Sequence, residues 1–344
     1  MLARNGFSTT SSFLELTGHT PLVELHHLLP KTNLRILAKL EQFNPGGSAK
    51  DRTANALIEQ ALVEGKIPSE GPVHLVESSS GNLGVALARQ AVTRGWRFTC
   101  VVDPRTNHTT LATMRALGAT IDYVEQPDPE TGDWLVARQR RVAELISSDE
   151  GAINLDQYSN RAAFLAHDQG TMSEIIQQLG HAPDALLVAM STTGTIGGCL
   201  RCVRREEAKT LVIGVDSLGS VLFGGQRGQR LLPGYGAGAV PDLSADATPD
   251  RVIRVADQKA VIGARALTRA EAILPGASGG AVMAALKENA AELEQQLGAG
   301  ATVVVILHDA GTAYLDTVYS DEWVENTFGM SAEDCEREVR EWGK

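Results

Sequence analysis

Short apolar runs alternate with longer segments of helical period along nearly the whole chain, and this alternation restricts the fold more than any other feature. The period-2 and continuous apolar runs predict strands at residues 35–41, 73–77, 98–103, 121–124, 185–190, 211–216, 252–255 and 302–307. Apolar residues at spacings of three and four predict helices at 50–64, 82–94, 109–117, 133–148, 161–179, 196–206, 257–267 and 279–297. Strands that alternate with helices and read as unbroken apolar runs belong in parallel sheets covered on both faces, an α/β architecture. A chain of 344 residues exceeds the usual single-domain size, so two subdomains are expected. In such sheets ligands sit beyond the C-terminal strand ends, where the glycine-rich loops of this chain fall. Residues 219–243 are rich in glycine and without period, which predicts a long loop of functional or mobile character.

Composition excludes several classes. Formal net charge is −11, with no basic block or aromatic-studded basic stripe, so nucleic acid is no expected partner. Residues 1–13 carry only Arg4 and no sustained apolar core, unlike a signal peptide, and no stretch resembles a membrane span. Cys199 and Cys202 form a C-x-x-C pair, but no second cysteine or histidine pair completes a zinc site. Packing is their expected role, with no metal, in a reducing cytoplasmic compartment.

Three loops carry the chemistry. Asn44-Pro-Gly-Gly-Ser-Ala-Lys50-Asp51-Arg52 places a lysine in the first turn of a predicted helix, with Ser48 and Asp51 in a capping-box-like arrangement. The dipole there disfavours an ammonium and lowers its pKa, which favours the neutral amine of Schiff-base chemistry. Ser78-Ser79-Ser80-Gly81-Asn82-Leu83-Gly84 and Ser191-Thr192-Thr193-Gly194-Thr195-Ile196-Gly197-Gly198 each follow a strand and open a helix. Unsatisfied backbone donors, small side chains and the dipole make such a turn an anion site, although an ordinary N-capped turn uses the same residues.

In this order and spacing the three loops resemble the fold type II pyridoxal-phosphate enzymes of the cysteine synthase and cystathionine β-synthase family, from about Thr17 to about Trp323. The resemblance implies two subdomains: residues 1–47 plus 156–344 as the larger, phosphate-binding one, and 48–155 as a smaller mobile one. It implies pyridoxal 5'-phosphate as cofactor, a Schiff base at Lys50, and Asn82 on the cofactor's phenolic oxygen. Ser191, Thr192, Thr193, Gly194 and Thr195 match the phosphate loop, while Ser79, Ser80, Gly81 and Gln157 match the grip on the substrate carboxylate. Gly236, in the run 234–238, matches a glycine-rich segment bordering the active site. The pyridine nitrogen is met in relatives by serine or threonine in a run like P-S-x-G-E-R-Y-L. Here His308-Asp309-Ala310-Gly311 stands in its place. Either Asp309 faces the nitrogen, or it points elsewhere and water or backbone meets the ring.

Two departures bear on the substrate. Ser191 replaces the usual first glycine of the phosphate loop, and Tyr158 follows Gln157 where phenylalanine is usual. Both add a hydroxyl, and an unpaired buried hydroxyl costs about 1–3 kcal/mol, so a polar second substrate is expected unless the hydroxyls satisfy one another. These features resemble a branch in which O-phospho-L-serine loses phosphate and the amine of L-glutamate adds, toward 2,3-diaminopropionate and siderophores. A protein of charge −11 needs local cations for such anions, and Arg138 in Arg138-Gln-Arg140-Arg141 is the candidate, against the alternative of a solvated arginine face. A cysteine synthase taking O-acetylserine or O-phosphoserine with sulfide is the rival. The resemblance also implies a homodimer.

Overall fold

The computed structural model describes residues 10–344. The expectation about a signal segment at residues 1–13 falls largely outside them. Among the described residues, ten strands form two sheets. The larger contains β1 (Leu22–Glu24), β2 (Arg35–Leu40), β7 (Ala185–Ala189), β8 (Leu211–Ser217), β9 (Arg251–Val255) and β10 (Thr302–Leu307), in the order β1-β2-β10-β7-β8-β9. The smaller contains β3 (His74–Ser78), β4 (Arg97–Val102), β5 (Thr120–Tyr123) and β6 (Ala152–Ile153), in the order β5-β4-β3-β6. Every pairing is parallel except β1 on β2.

Burial explains the apolar runs. In β10, Val303, Val305 and Leu307 enter the core beneath α8 (Asp257–Glu271) and α9 (Ala277–Leu297). Val304 and Ile306 enter the opposite core, beside α6 (Ser173–Leu179) and α7 (Gly194–Arg205). A strand with both faces covered needs no polar alternation. The smaller sheet packs Leu75, Phe98 and Cys100 against α1 (Lys50–Val63), α2 (Asn82–Arg94) and α3 (His108–Ala116). Val76 and Val101 face α4 (Trp134–Ser148) through Val142.

The predicted strands and helices recur with ends shifted by a few residues, the largest being α8, which runs on to Glu271. Four elements escaped the pattern: β1 and β6 are too short to show a period, and α10 (Asp321–Phe328) and α11 (Ala332–Arg340) are short polar helices. The helix expected at 161–179 is three pieces, α5 (Ala162–Leu165), a π segment (Ala166–Met172) and α6. All four cysteines are free and buried, in keeping with packing, and no metal-ligating cluster occurs among the described residues. Residues 219–243 hold only two 3-10 turns, Leu222–Gly224 and the start of Asp242–Asp246.

Candidate active site

The C-terminal ends of β3, β7 and β10 and the N-terminus of α1 converge on one cavity of about 160 Å³. Ser79, Ser80, Gly81, Asn82, Gln157, Tyr158 and the whole run 191–195 line it together with Lys50 and Asp309. Arg138 and Gly236 do not. They line an adjoining cavity of about 260 Å³, whose wall shares Ser80, Tyr158, Ser191, Pro233 and Gly234 with the first.

Lys50 is the first residue of α1, and its N–H donates to Ser48 Oγ at 3.2 Å. Asp51 reaches back so that its carboxylate accepts from Gly46 N at 2.9 Å and Ser48 N at 3.4 Å, which is half of the expected capping box. The other half is missing, because the N-cap is Ala49 and Ser48 Oγ serves Lys50 N instead of Asp51 N. The N–H of Ala49 donates to His308 O at 2.8 Å, and Ser48 bridges Asp309, so the lysine turn is pinned to the end of β10. The Lys50 amine makes no ion pair or hydrogen bond among the described residues. Burial lowers its pKa from 10.5 to about 8.

At β7 the chain turns through Thr193 in a left-handed conformation, φ 65°, and enters α7. The N–H groups of Gly194, Thr195 and Ile196 find no acceptor among the described residues, whereas Gly197 N already donates to Thr193 O at 2.9 Å. Three orphan donors on a dipole's positive end form an anion cradle. Close packing holds it in place: a Cβ on Gly198 would sit 2.4 Å from Phe164 O. The π segment delivers His167 between Thr195 Oγ1 at 3.3 Å and Thr53 Oγ1 at 3.2 Å, while its Nδ1 meets Thr171 Oγ1 at 2.9 Å. Burial and nearby Lys50 hold this imidazole neutral, well below its usual range. His167 thus couples the lysine helix to the anion cradle.

At β3, Ser79 Oγ accepts from Gly84 N at 3.0 Å and so caps α2, while Gln157 Nε2 donates to Ser78 O at 3.2 Å. The hydroxyls of Ser80, Ser191 and Tyr158 make no hydrogen bond among the described residues. Burial pushes the Tyr158 phenol up to about 12 despite Arg138 nearby, so it is a neutral donor. Asn82 Nδ2 donates to Asp309 Oδ2 at 2.8 Å. The same carboxylate accepts from Tyr314 OH at 2.6 Å and, at 3.5 Å, from Ser278 Oγ. Burial raises the Asp309 pKa against these donors.

Sequence reasoning missed three residues here. Ser278 lies in the first turn of α9, reached by a glycine-bearing loop like the other two but without a strand before it. Tyr314 closes the Asp309 network. His308 lines the cavity with both ring nitrogens buried and unpartnered. Burial and the Lys50 charge drop its pKa to about 3, and its only sequence signal is its place beside Asp309 in the ring-nitrogen run. The solvated reading holds for Arg140 and Arg141, which pair with Asp128 and Asp122, but not for Arg138. Arg138 is 5% exposed, and its Nε and Nη1 lack hydrogen-bond partners.

The two-sheet fold, with a poised lysine and an anion cradle at neighbouring helix N-termini, defines a pyridoxal-phosphate site, and the chain belongs to the family of pyridoxal-phosphate dependent enzymes, whose family model matches residues 14–309. Among solved structures it is similar to an O-acetylserine dependent cystathionine β-synthase from Helicobacter pylori, at 28% identity and a TM-score of 0.81, covering 91% of this chain and 100% of that one. It is similar to a hydrogen sulfide-producing enzyme from Fusobacterium nucleatum at 26% identity, 0.81, 89% and 100%, and to O-ureido-L-serine synthase at 26%, 0.81, 96% and 99%. The fold is therefore fold type II and pyridoxal phosphate is the cofactor. The residues present fit that group: the orphan N–H groups suit its phosphate, and the unpaired, easily deprotonated Lys50 suits its aldehyde. Among the described residues no helix is long and apolar enough to cross a membrane.

Proposed function

We propose that the protein is a β-replacement synthase that condenses O-phospho-L-serine with L-glutamate to N-(2-amino-2-carboxyethyl)-L-glutamate and phosphate. Bound pyridoxal phosphate withdraws electrons from the amino acid's Cα, which acidifies its proton and lets the β-substituent leave. Lys50 takes that proton and later returns it, a duty suited to an amine with a pKa near 8. The loop 191–195, with the cradle of N–H groups at 194–196, would hold the phosphate, and Asn82 the ring oxygen once its amide turns from Asp309. Ser80, with the loop that Ser79 caps, and Gln157 hold the α-carboxylate. Asp309, Ser278 and Tyr314 face the ring edge. Residues 48–155 act as the mobile unit against 1–47 plus 156–344, and the enzyme works as a cytoplasmic homodimer supplying 2,3-diaminopropionate for a siderophore.

One observation carries the choice of an acidic second substrate. The free hydroxyls of Ser191 and Tyr158 stand in the wall that the two cavities share, and the unpartnered N–H groups of Arg138 belong to the outer one. Sulfide needs none of these donors, and leaving the buried Arg138 N–H groups without partners is costly. The test mixes holoenzyme and O-phospho-L-serine with L-glutamate or sulfide and reads product mass and released phosphate. A glutamate adduct supports the proposal. Cysteine formed with sulfide, and no adduct with glutamate, refutes it.

A further inference from the structure

The outer cavity carries more charge than Arg138 alone supplies. Its ionisable walls are Arg105, Arg138 and Arg230 against Asp103 and Asp133. Both carboxylates already have partners. Arg105 clamps Asp103 with Nε to Oδ1 at 3.1 Å and Nη2 to Oδ2 at 3.0 Å. Asp133 accepts from Leu135 N at 2.7 Å and pairs with Arg227 at 3.2 Å. Two guanidiniums are left over. Arg138 has Nε 3.5 Å from Asp103 Oδ2, an ion-pair contact that leaves that N–H without a hydrogen bond. Arg230 makes no hydrogen bond or ion pair among the described residues, and burial with nearby Arg105 pushes its pKa down. Arg138 shares Asp103 with Arg105, and Asp133, Asp216 and Asp257 offset part of the Arg230 charge. What stays free in this half-enclosed space is a set of guanidinium N–H groups without hydrogen bonds, which suits carboxylate oxygens.

The glycine loop is shaped around Arg230. Gly236 has φ 77°, and a Cβ there would stand 2.7 Å from Ser217 Cβ and 3.2 Å from Arg230 Cδ. A Cβ on Gly238 would come 2.8 Å from Arg230 Nη2. The loop is anchored by Gly236 N donating to Met190 O at 2.6 Å, one residue before Ser191. The register of Arg230 is thereby tied to the mouth of the inner cavity.

We propose that this outer cavity binds the two carboxylates of an acidic amino-acid acceptor, with Arg138 at its inner wall and Arg230 as the specificity-determining cation. The inference rests on the β-replacement reading above and adds the acceptor's binding site. An acceptor held this way presents its amine past Ser191 and Tyr158 to the inner cavity, while its carboxylates stay outside. Uncharged acceptors gain nothing from Arg230.

The test uses holoenzyme, with Arg230→Met and, as a variant that keeps the charge but displaces it, Gly238→Ala. Glutarate binding is titrated by calorimetry, and KM is measured for L-glutamate and for O-phospho-L-serine. Loss of a charge-assisted pair corresponds to about tenfold or more in affinity. Both variants should weaken glutarate and raise the KM for L-glutamate by that factor, well beyond any change for O-phospho-L-serine. Equal effects on both KM values, or glutarate binding unchanged by Arg230→Met, would overturn the inference and leave the reaction standing. Glutarate binding that depends on Arg230, in an enzyme that does not turn over L-glutamate, would support the site and refute the reaction. No glutarate binding to the unmutated enzyme would overturn the site outright.

Discussion

Replacing Lys50 with methionine in protein stripped of cofactor is expected to stabilise the fold. Burial lowers the Lys50 pKa from 10.5 to about 8, so the folded state holds the proton less tightly than the unfolded chain. Each pKa unit is about 1.4 kcal/mol, so below pH 8 the buried ammonium costs the native state about 3 kcal/mol. Between pH 8 and 10.5 the unfolded chain binds more protons than the folded one, and stability rises with pH across that window. Above 10.5 both states carry a neutral amine and the penalty vanishes. Urea unfolding of apoprotein at several pH values should therefore show Lys50→Met ahead by about 2–3 kcal/mol at pH 7, with the lead shrinking from pH 8 to 10.5. The same depression raises the neutral fraction at pH 7 about 300-fold over an ordinary lysine. Labelling of the amine by an acylating reagent, followed by mass spectrometry, should report half-reactivity near pH 8. A variant no more stable than the parent at pH 7, or labelling that rises only above pH 10, would refute the argument that burial poises this lysine.

Arg52 bridges two carboxylates in the interior, with Nε to Glu41 Oε2 at 2.7 Å and Nη1 to Glu174 Oε1 at 2.6 Å, and Glu41 is fully buried. Arg52→Met should cost about 3–5 kcal/mol by urea unfolding, and a loss below 1 kcal/mol would mean the carboxylates simply take up protons. Burial pushes Glu174 up, but Arg52 and Lys39 outweigh it and hold the pKa at about 2. Stability from this group is present above pH 4.5 and is lost as pH falls toward 2, so Glu174→Gln should flatten the acid limb of the stability profile. Gly198→Ala drives a Cβ to 2.4 Å from the backbone oxygen of Phe164 and 2.6 Å from His167 Cβ, so it should lower Tm and cofactor retention together. Retention unchanged at lower Tm would separate the cradle from this packing. Asp309→Ala leaves the Tyr314 hydroxyl and the Asn82 amide without their acceptor, a loss of about 1–3 kcal/mol in the apoprotein, read by thermal unfolding.

What the sequence by itself determined was the class of fold and the kinds of groups at the site. Runs such as 185–189 and 302–307 are apolar on both faces because helices cover both faces, and that burial is written locally in residue type. The hydroxyl and glycine turns at 79–81 and 191–194 are legible for the same reason, since a tight strand-to-helix turn with free N–H groups restricts its own residues. Tertiary structure alone decided what those turns face. Asn82 meets Asp309 across 227 positions, and His167 joins Thr53 to Thr195 from a π turn that leaves no periodic trace. Arg138, Arg140 and Arg141 look alike along the chain, yet packing against the smaller sheet buries the first and leaves the guanidiniums of the others exposed, paired with Asp128 and Asp122. Ser278 and Arg230 gave no local signal because each sits in an ordinary context, and His308 was marked only by standing beside Asp309 in the ring-nitrogen run. They become site residues only where α9, β10 and the glycine loop are brought together. Period and turn chemistry act over a few residues, whereas pairing, desolvation and residual charge depend on neighbours that only the folded chain supplies.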